Sequence, residues 1–412
     1  MKRSRSLSLV LVIVTYFLVI FVKMSPSIVM PSYQSNLGLS SSMVGLISGA
    51  YFFSYAFMQL AAGPFCKRVG AVNVIGIGIV IAAIGLIVFG FGGNVFSLFL
   101  GRLLLGLGTG PIFVALLFFL QCNYDASGYV RNYSIAVFVS NLGSAFSAAP
   151  LKYALQFVSI KVLFSILATL SALVAFLLFV FGTNGDYASN DSRKSFMEQL
   201  SSCSKAVVSD SHLVGSLLIW MLVSGGILAY QGLWCTKWTS SAFPEFADFS
   251  GLSGTLVSFG IMTASMVSSR FSRLCGREDR TVLVSGWLQI LALSLVTMVK
   301  SFDTKAFLFI SLVSDFIFGM IMGNVCLQIP PFVADIADKE KNATIMGILN
   351  FIANLFAQTV QYGTGKAIDR TGSFAKSFLI MTALYALIMV FVSLLVVCGK
   401  RKPKVQPKQL ND

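Results

Sequence analysis

Three ionisable side chains fall at membrane depth in this sequence, and side chains of these types can bind a charged solute or carry a proton. Lys23, Arg102 and Asp315 each lie within a long apolar run. A lysine near the centre of a membrane helix costs about 2.5–3.5 kcal/mol on insertion scales, so residues of this kind mark functional sites by default. Two positive groups against one negative group favour an anionic or zwitterionic solute.

Each of these residues also has a plainer interpretation. Lys23 is predicted about 10 Å from the outer end of its span, so its stem can reach the lipid headgroups. Arg102 and Asp315 can form a static ion pair that only fixes two helices. The functional hypothesis is that Asp315 gains and loses a proton as its contact with Arg102 or with solute changes, which would use the proton gradient.

Uncharged polar residues recur at helical spacing on several apolar runs. Steps of three or four residues place each set on one face of its helix. Hydrogen bonding between helices explains such stripes structurally, and the lining of a water-filled cavity explains them functionally. The sets are Ser48, Tyr51, Tyr55 and Gln59 on the second run, Asn350, Asn354, Gln358 and Gln361 on the eleventh, and Tyr16, Lys23 and Ser27 on the first.

The seventh run contributes an aromatic and amide-bearing segment, AYQGLWCTKW. Its aromatic residues fit the wall of a cavity, although Lys237 and Trp238 fit an ordinary interfacial belt better. The predicted solute-binding residues are Lys23, Tyr16, Ser27, Tyr51, Tyr55, Arg102, Gln231, Trp234, Asn350, Asn354 and Gln358.

Membrane helices must position these residues. The chain has 412 residues, of which 56% are hydrophobic and 11% charged, with a mean hydropathy of +0.83. No soluble domain of this length would expose such a composition. Apolar runs of about 20 residues predict twelve spans. They are Leu7–Met30, Val44–Pro64, Val72–Phe91, Val95–Leu120, Tyr133–Phe157, Val162–Phe181, Leu213–Trp238, Leu252–Ser272, Val282–Val299, Ala306–Ile329, Ala343–Lys366 and Phe374–Cys398.

The chain has a net charge of +14, and its basic residues are divided unevenly between the two sides of the membrane. With the N-terminus in the cytoplasm, 20 of the 30 Lys and Arg residues fall in cytoplasmic connections and tails. This bias predicts an integral protein of the plasma or inner membrane with both termini cytoplasmic. Nucleic-acid binding is not expected, because the basic residues flank helices instead of forming a separate domain.

A polar stretch between Phe181 and Leu213 divides the spans into six and six. We therefore predict an N-terminal bundle over 1–181, a cytoplasmic linker over 182–212 with a short amphipathic helix, a C-terminal bundle over 213–398, and a basic tail over 399–412. The halves repeat at an offset near 213, which argues for duplication of a six-helix unit. Arg102, Gly106 and Gly110 fall opposite Asp315, Gly319 and Gly323.

Three short motifs resemble signatures of the major facilitator superfamily. They are GPFCKRVG (63–70), LGRLLLGLGTG (100–110) and GKAIDRTG (365–372). The resemblance implies an all-α membrane protein in which twelve helices form two pseudo-symmetric six-helix bundles. It also implies a protein that moves a small solute by alternating access of a central site. We further expect a monomer without cofactor or metal. The segment from Lys23 to Pro31 further resembles the first helix of organophosphate and organic-anion carriers in this superfamily, where a basic residue binds the anionic group.

The motifs also depart from the family pattern. The first loop signature carries Lys67 where the family has aspartate, and Asp125 is a candidate partner for Lys67 or Arg68. We predict a gating loop that contains Gly63, Lys67, Arg68, Gly70 and Asp125. The fifth span lacks the proline and glycine motif of drug and metabolite antiporters, which favours uptake.

The sequence therefore favours proton-coupled uptake of a small polar solute. The predicted partners are that solute, protons and the lipid bilayer. A proton-driven exporter or antiporter of metabolites or drugs, or a solute sensor that does not transport, are the alternatives. An enzyme is not expected, because one histidine and one acid at membrane depth leave little for a catalytic site. The seven cysteines show no metal-binding spacing.

Overall fold

The computed structural model describes residues 5–184, 196–302, 305–337 and 341–398. The predicted tail 399–412 and residues 185–195 of the predicted linker lie outside this range. The described chain is helical without strands, so the all-α prediction is confirmed. Its α-helices are α1 Arg5–Met24, α2 Pro26–Leu37, α3 Ser41–Val69, α4 Ala71–Gly90, α5 Val95–Thr109, α6 Ile112–Asn123, α7 Ala126–Phe146, α8 Ala149–Ala154, α9 Ile160–Phe181, α10 Phe196–Ser209, α11 Ser211–Ala229, α12 Cys235–Ala242, α13 Gly251–Cys275, α14 Glu278–Val299, α15 Lys305–Ile336, α16 Asn342–Thr371 and α17 Phe374–Cys398.

Two further turns complete the helical path. A π-helix over Tyr230–Trp234 joins α11 to α12, and a 3-10 helix over Pro244–Ser250 joins α12 to α13. The amphipathic helix expected in the linker is α10.

Each predicted span corresponds to a helix or a broken helix in the structure. In the described residues, ten helical segments are long and apolar enough to cross a membrane. The two predicted spans outside that set are the fifth, now α7 and α8, and the eleventh, now α16. The fifth span contains the asparagines and serines of α7, and the eleventh contains the asparagines and glutamines of its polar stripe. These residues lower the hydropathy of both spans.

Several helix boundaries differ from the predictions. The first span continues past Met30 to Leu37, with a break at Ser25 before Pro26. The fourth span breaks at Gly110 and Pro111, because proline cannot donate a backbone hydrogen bond there. The tenth span extends beyond Ile329, because α15 continues through Pro330 and Pro331 to Ile336.

Caps fix the ends of the helices. Asn94 forms a capping box with Ser97 at the start of α5, and Ser159 caps α9. Gly70 ends α3 with a φ of +87°, a conformation that L side chains rarely adopt. This explains why a glycine closes the first loop motif.

The repeated glycines have equivalent packing roles in the two halves. A Cβ added at Gly106 of α5 would lie 2.1 Å from the Tyr51 carbonyl oxygen of α3. A Cβ added at Gly319 of α15 would lie 2.1 Å from the Val257 carbonyl oxygen of α13. Both glycines therefore let two helices approach until their backbones touch.

The helices run between two faces of the structure. We call the end where α1 begins at Arg5 and α17 ends at Cys398 the near face, and the opposite end the far face. The described hydrogen bonds between α1–α9 and α11–α17 all lie in the far half. One example joins the hydroxyls of Ser144 and Ser258 at 2.9 Å.

Three charged side chains contribute to this closure of the far face. Asp369, at the end of α16, accepts hydrogen bonds from the backbone N–H groups of Ser41 and Ser42 at 2.7 Å each. The Lys152 ammonium donates to the Ser250 hydroxyl at 2.6 Å and to the Ala247 carbonyl. The Lys237 ammonium donates to the side-chain oxygen of Gln34.

Candidate functional site

Lys23 lies near mid-depth and faces the boundary between the two halves. It is 18 residues from Arg5 and 14 from Leu37 along α1 and α2, which is about 27 Å and 21 Å at the helical rise. The sequence placed Lys23 closer to the outer end, and that expectation is wrong because the helix continues past Pro31. The ammonium therefore lies too deep to reach the headgroups from the far end.

Aromatic rings of α3 hold the Lys23 side chain. Its Nζ lies 4.9 Å from the centroid of the Tyr55 ring and 5.6 Å from that of Phe52. Across the boundary, the Cys326 thiol of α15 is within electrostatic range. Cation–π contacts of this kind stabilise an ammonium by about 0.5–2 kcal/mol without neutralising its charge.

No anionic partner neutralises Lys23 in the part of the chain that the structure describes. Its ammonium forms no hydrogen bond or ion pair there, and it keeps solvent-accessible surface in a half-buried side chain. An uncompensated charge at this depth is costly unless water or an anion reaches it. The geometry therefore suits binding of an anionic group.

Arg102 lies beyond the same tyrosines, between α3 and α5. Its guanidinium carbon is 4.6 Å from the Tyr51 ring centroid, and its Nη2 donates to the Ser48 carbonyl at 3.1 Å. Tyr51 stacks on Tyr55 at 5.4 Å. Lys23, the two tyrosines and Arg102 thus form one continuous array, which we call the cation–tyrosine array.

Arg102 is almost completely buried, with 1% of its surface exposed. Its Nε and Nη1 have no hydrogen-bond partner among the described residues. Buried guanidinium nitrogens without partners carry a desolvation cost, so they favour an acceptor such as water or an anion.

Asp315 pairs with a residue that the sequence analysis did not select. The Nζ of Lys300 lies 3.2 Å from its Oδ2, and both side chains have no exposed surface. Ser253 donates to Oδ2 at 2.6 Å, and the Tyr230 hydroxyl donates to Oδ1. The expected contact with Arg102 is not formed, because Arg102 packs within the N-terminal helices and Asp315 within the C-terminal ones.

Lys300 was missed for a physical reason. It follows the ninth predicted span by one residue, where a lysine normally lies in the headgroup region. In the structure its ammonium turns inward and also donates to the Thr239 hydroxyl at 2.6 Å. Only the rarity of a lone carboxylate at membrane depth hinted that a cation had to be near.

Gln231 and Trp234 lie on the π-helix and are both buried. The Gln231 amide donates to the hydroxyls of Ser144 at 3.1 Å and Ser258 at 2.7 Å, so it contributes to closure between the halves. Its Oε1 and the Trp234 Nε1 have no partner among the described residues.

The predicted residues of α16 do not form one surface. Asn350 accepts a hydrogen bond from the Trp220 indole at 2.8 Å, and Asn354 donates to the Asn350 carbonyl at 2.7 Å. Gln358 packs against Gly49 of α3, where a Cβ would lie 2.7 Å from its Cγ. These contacts resemble helix-to-helix packing more than a lining.

The other two predicted residues of the first span, Tyr16 and Ser27, have different surroundings. Tyr16 stacks with Phe113 of α6, with 5.7 Å between the ring centroids. Ser27 instead donates to the Met24 carbonyl of its own chain segment at 3.1 Å.

The predicted gating loop lies between α3 and α4 at the near face. Gly63, Lys67 and Arg68 lie in the last turns of α3. Asp125 does not pair with Lys67 or Arg68 in the described structure. It caps α7 by accepting from the Gly128 N–H at 3.2 Å and the Ser127 hydroxyl at 2.8 Å, and these hydrogen bonds lower its pKa.

Comparison with known proteins places this architecture in a family. The sequence model of the Major Facilitator Superfamily matches residues 12–361 of this chain. The chain is 28% identical over 111 residues to the probable sulfoacetate transporter SauU of Cupriavidus necator, which is 27% of this chain and 26% of that protein. The match thus spans about a quarter of that relative.

Solved structures share the whole fold at low sequence identity. A bacterial homolog of the human lysosomal transporter Spinster, in an inward-facing and unoccupied conformation, superposes with a TM-score of 0.73 at 14% identity, over 96% of this chain and 97% of that one. The nucleoside transporter NupG superposes with a TM-score of 0.76 at 14% identity, over 94% and 98%. The expected fold of two six-helix bundles is confirmed, and the domain boundaries remain predictions.

Proposed function

We propose a substrate class and a coupling mechanism for this chain, which belongs to the Major Facilitator Superfamily, a family of secondary transporters, and is a multi-pass membrane protein. In our proposal it carries small organic anions across the membrane by alternating access. The anionic group binds the Lys23 ammonium in the centre, and uptake is coupled to protons.

The observation that carries the proposal is the state of Lys23. It is a cation at mid-depth, solvent-accessible, held by aromatic rings and without an anionic partner among the described residues. A carboxylate, sulfonate or phosphate forms a charge-assisted hydrogen bond with an ammonium, about twice as strong as a neutral one. Arg102, which has unpartnered nitrogens beyond Tyr55 and Tyr51, supports a second contact to such a solute.

The charge balance between the halves supports an anion over a cation. Asp315 is already compensated by Lys300, so it offers no free negative charge to a cationic solute. Lys23 and Arg102 are the charges left without a counter-ion in the middle of the described helices. The sulfoacetate named for the partial relative SauU carries two anionic groups, which fits this pair of cations.

Proton coupling is proposed to involve Asp315 with Lys300 as its partner, in place of Arg102. Both side chains are sealed in this conformation, so a proton reaches Asp315 only after α14 or α15 has moved. Movement that separates Lys300 from the carboxylate would favour its protonation, because a buried carboxylate without a cation prefers the neutral form.

The closed far face supports uptake as the direction of transport. If the near face is cytoplasmic, as the basic residues predict, the described hydrogen bonds between the halves close the outside and the structure represents an inward-facing state. Uptake then ends by release of the anion to the cytoplasm.

Transport assays in proteoliposomes test the proposal. Purified protein is reconstituted, and counterflow of radiolabelled sulfoacetate is compared with that of uncharged and cationic solutes. We expect counterflow of the anion, its loss in Lys23→Gln, and accumulation driven by an inward proton gradient. Counterflow of cations or neutral solutes that is unchanged in Lys23→Gln would refute anion transport through this site.

Direction and coupling are read from the same vesicles. External alkalinisation during anion addition indicates symport, whereas acidification indicates exchange of the solute for protons. Asp315→Asn/Lys300→Gln removes both charges of the pair and so avoids leaving one of them buried alone. Proton-driven accumulation retained by this double variant would exclude Asp315 as the coupling residue.

A further inference from the structure

A cavity of about 920 Å³ opens at the far face and is separate from the cation–tyrosine array. It lies between the far ends of α2, α4 and α8 and the start of α9, with the 3-10 helix 244–250 on one rim. Its volume is within the range of small-molecule sites in proteins. The charged residues that line it are Lys152, Lys161 and Asp248, so the cavity has a net positive charge.

Lys161 provides a cation that no described group neutralises. Its Nζ lies 5.9 Å from the centroid of the Phe91 ring, which also lines the cavity. No hydrogen bond or ion pair reaches this ammonium from the described residues. The pairing of a lysine with an aromatic ring resembles the setting of Lys23 at the centre of the protein.

Lys152 lines the same cavity, and its ammonium donates hydrogen bonds to two uncharged acceptors. It donates to the Ser250 hydroxyl at 2.6 Å and to the Ala247 carbonyl, across the boundary between the halves. Asp248 offsets part of its charge but lies beyond ion-pair distance in the structure. An ionised oxygen acceptor is stronger than either neutral partner.

We propose that this cavity is a second anion-binding site, which takes the carboxylate, sulfonate or phosphate group of a small solute or lipid between Lys161 and Lys152. An anion held there competes with Ala247 and Ser250 for the Lys152 ammonium. Occupancy of the cavity therefore weakens one contact that closes the far face. The cavity then acts as the first binding site for the organic anions of our proposed function, on which this inference rests.

Titration of the purified full-length protein in dodecyl maltoside tests the soluble form of this ligand. Sulfoacetate binding is measured calorimetrically in the wild type, Lys23→Gln, Lys161→Gln and the double variant. We expect two sites in the wild type and one in each single variant. In the double variant, the site that remains in Lys23→Gln should bind sulfoacetate about tenfold more weakly or not measurably. Because Lys23→Gln removes the central site first, failure of one site is distinguishable from failure of the other.

A matched control and a lipid arm complete the test. Lys376→Gln removes an exposed lysine of the far face that does not line the cavity, and we expect no change in binding. Native mass spectrometry of protein purified with phosphatidylglycerol shows whether a lipid headgroup is the occupant, through adducts that Lys161→Gln removes. If neither sulfoacetate nor lipid binding depends on Lys161 more than on Lys376, the proposal is overturned.

Discussion

The Lys300 ammonium lies 3.2 Å from the Asp315 carboxylate, with neither side chain exposed, and it comes from the end of α14 while Asp315 lies inside α15. Ser253, Tyr230 and Thr239 supply the remaining hydrogen bonds. The pair and its hydrogen-bond partners therefore join five segments of the C-terminal half, namely the π-helix, α12, α13, the end of α14 and α15.

Breaking this pair on one side should destabilise the protein strongly. Lys300→Met leaves a carboxylate buried without its cation, which costs about 3–5 kcal/mol in comparable buried pairs. Thermal unfolding in detergent should show a large fall in the melting temperature. Asp315→Asn/Lys300→Met should recover much of this loss because both charges are gone. An unchanged melting temperature in Lys300→Met would contradict the fully buried pair.

Lys23 variants should separate charge from shape at the central site. Lys23→Arg keeps a cation and should retain part of the anion affinity, whereas Lys23→Met should lower it at least about tenfold, equivalent to about 1.4 kcal/mol. The measurement is anion binding to purified protein. Since Lys23 has no hydrogen bond to lose among the described residues, the melting temperature without ligand should not fall in Lys23→Met. Equal affinity in the two variants would argue against anion binding at Lys23.

The Asp369 contact predicts a shift in conformational population. Asp369→Asn replaces an anion at the N-terminus of α3 by a neutral acceptor, and such charges contribute about 0.3–1 kcal/mol at exposed helix ends. The far-open population should therefore rise about two- to fivefold. Spin labels across the far ends of α3 and α16 would measure this change, with Asp279→Asn as a control, because the ion pair of Asp279 with Arg277 lies within one half. A distance distribution that does not move in Asp369→Asn would contradict the assigned role.

The same contact has a defined pH dependence. Partial burial disfavours the charged form of Asp369, but the hydrogen bonds from Ser42 and Ser41 outweigh it and hold the pKa below its usual value. A depressed pKa means that the stabilisation is present above the ordinary aspartate pKa and is lost as the pH falls through the lowered value. The closed population should thus be constant from neutral to mildly acidic pH. Opening that titrates near pH 6–7 would point to another group.

Two glycines provide a matched pair of packing variants. Gly106→Ala places a Cβ 2.1 Å from the Tyr51 carbonyl oxygen, and Gly63→Ala places one where nothing lies within 4 Å. Overpacking of this kind costs about 1–3 kcal/mol. The melting temperature should fall clearly in Gly106→Ala and remain nearly unchanged in Gly63→Ala. A similar fall in both would mean that helix propensity, and not the close approach, controls the result.

The helical fold was predictable from sequence because length and apolarity alone define a membrane span. Lys23 and Arg102 were selected for the same reason, since a charge inside such a run stands out. The partners of Asp315 and Asp369 were not predictable. Lys300 lies just outside a span, and the N–H groups of Ser41 and Ser42 belong to the backbone, which carries no sequence signal.

The cavity at Lys161 and the roles of the polar stripes depend on how helices tilt and rotate against one another. The spacing of Asn350, Asn354 and Gln358 predicts a shared helix face, but it does not indicate what each of these side chains contacts. Neighbouring side chains and helix packing set this rotation, and a single sequence read along one helix does not contain it.

The three contacts at the far face set by Lys152, Lys237 and Asp369 each join a charged group to a neutral dipole at hydrogen-bond distance. Dissolved ions weaken interactions over a Debye length of about 8–10 Å near physiological ionic strength and act far less on partners already in contact. These three hydrogen-bonded contacts should therefore be equally stable at low and at high external salt concentration. The closure of the far face should then not depend on salinity.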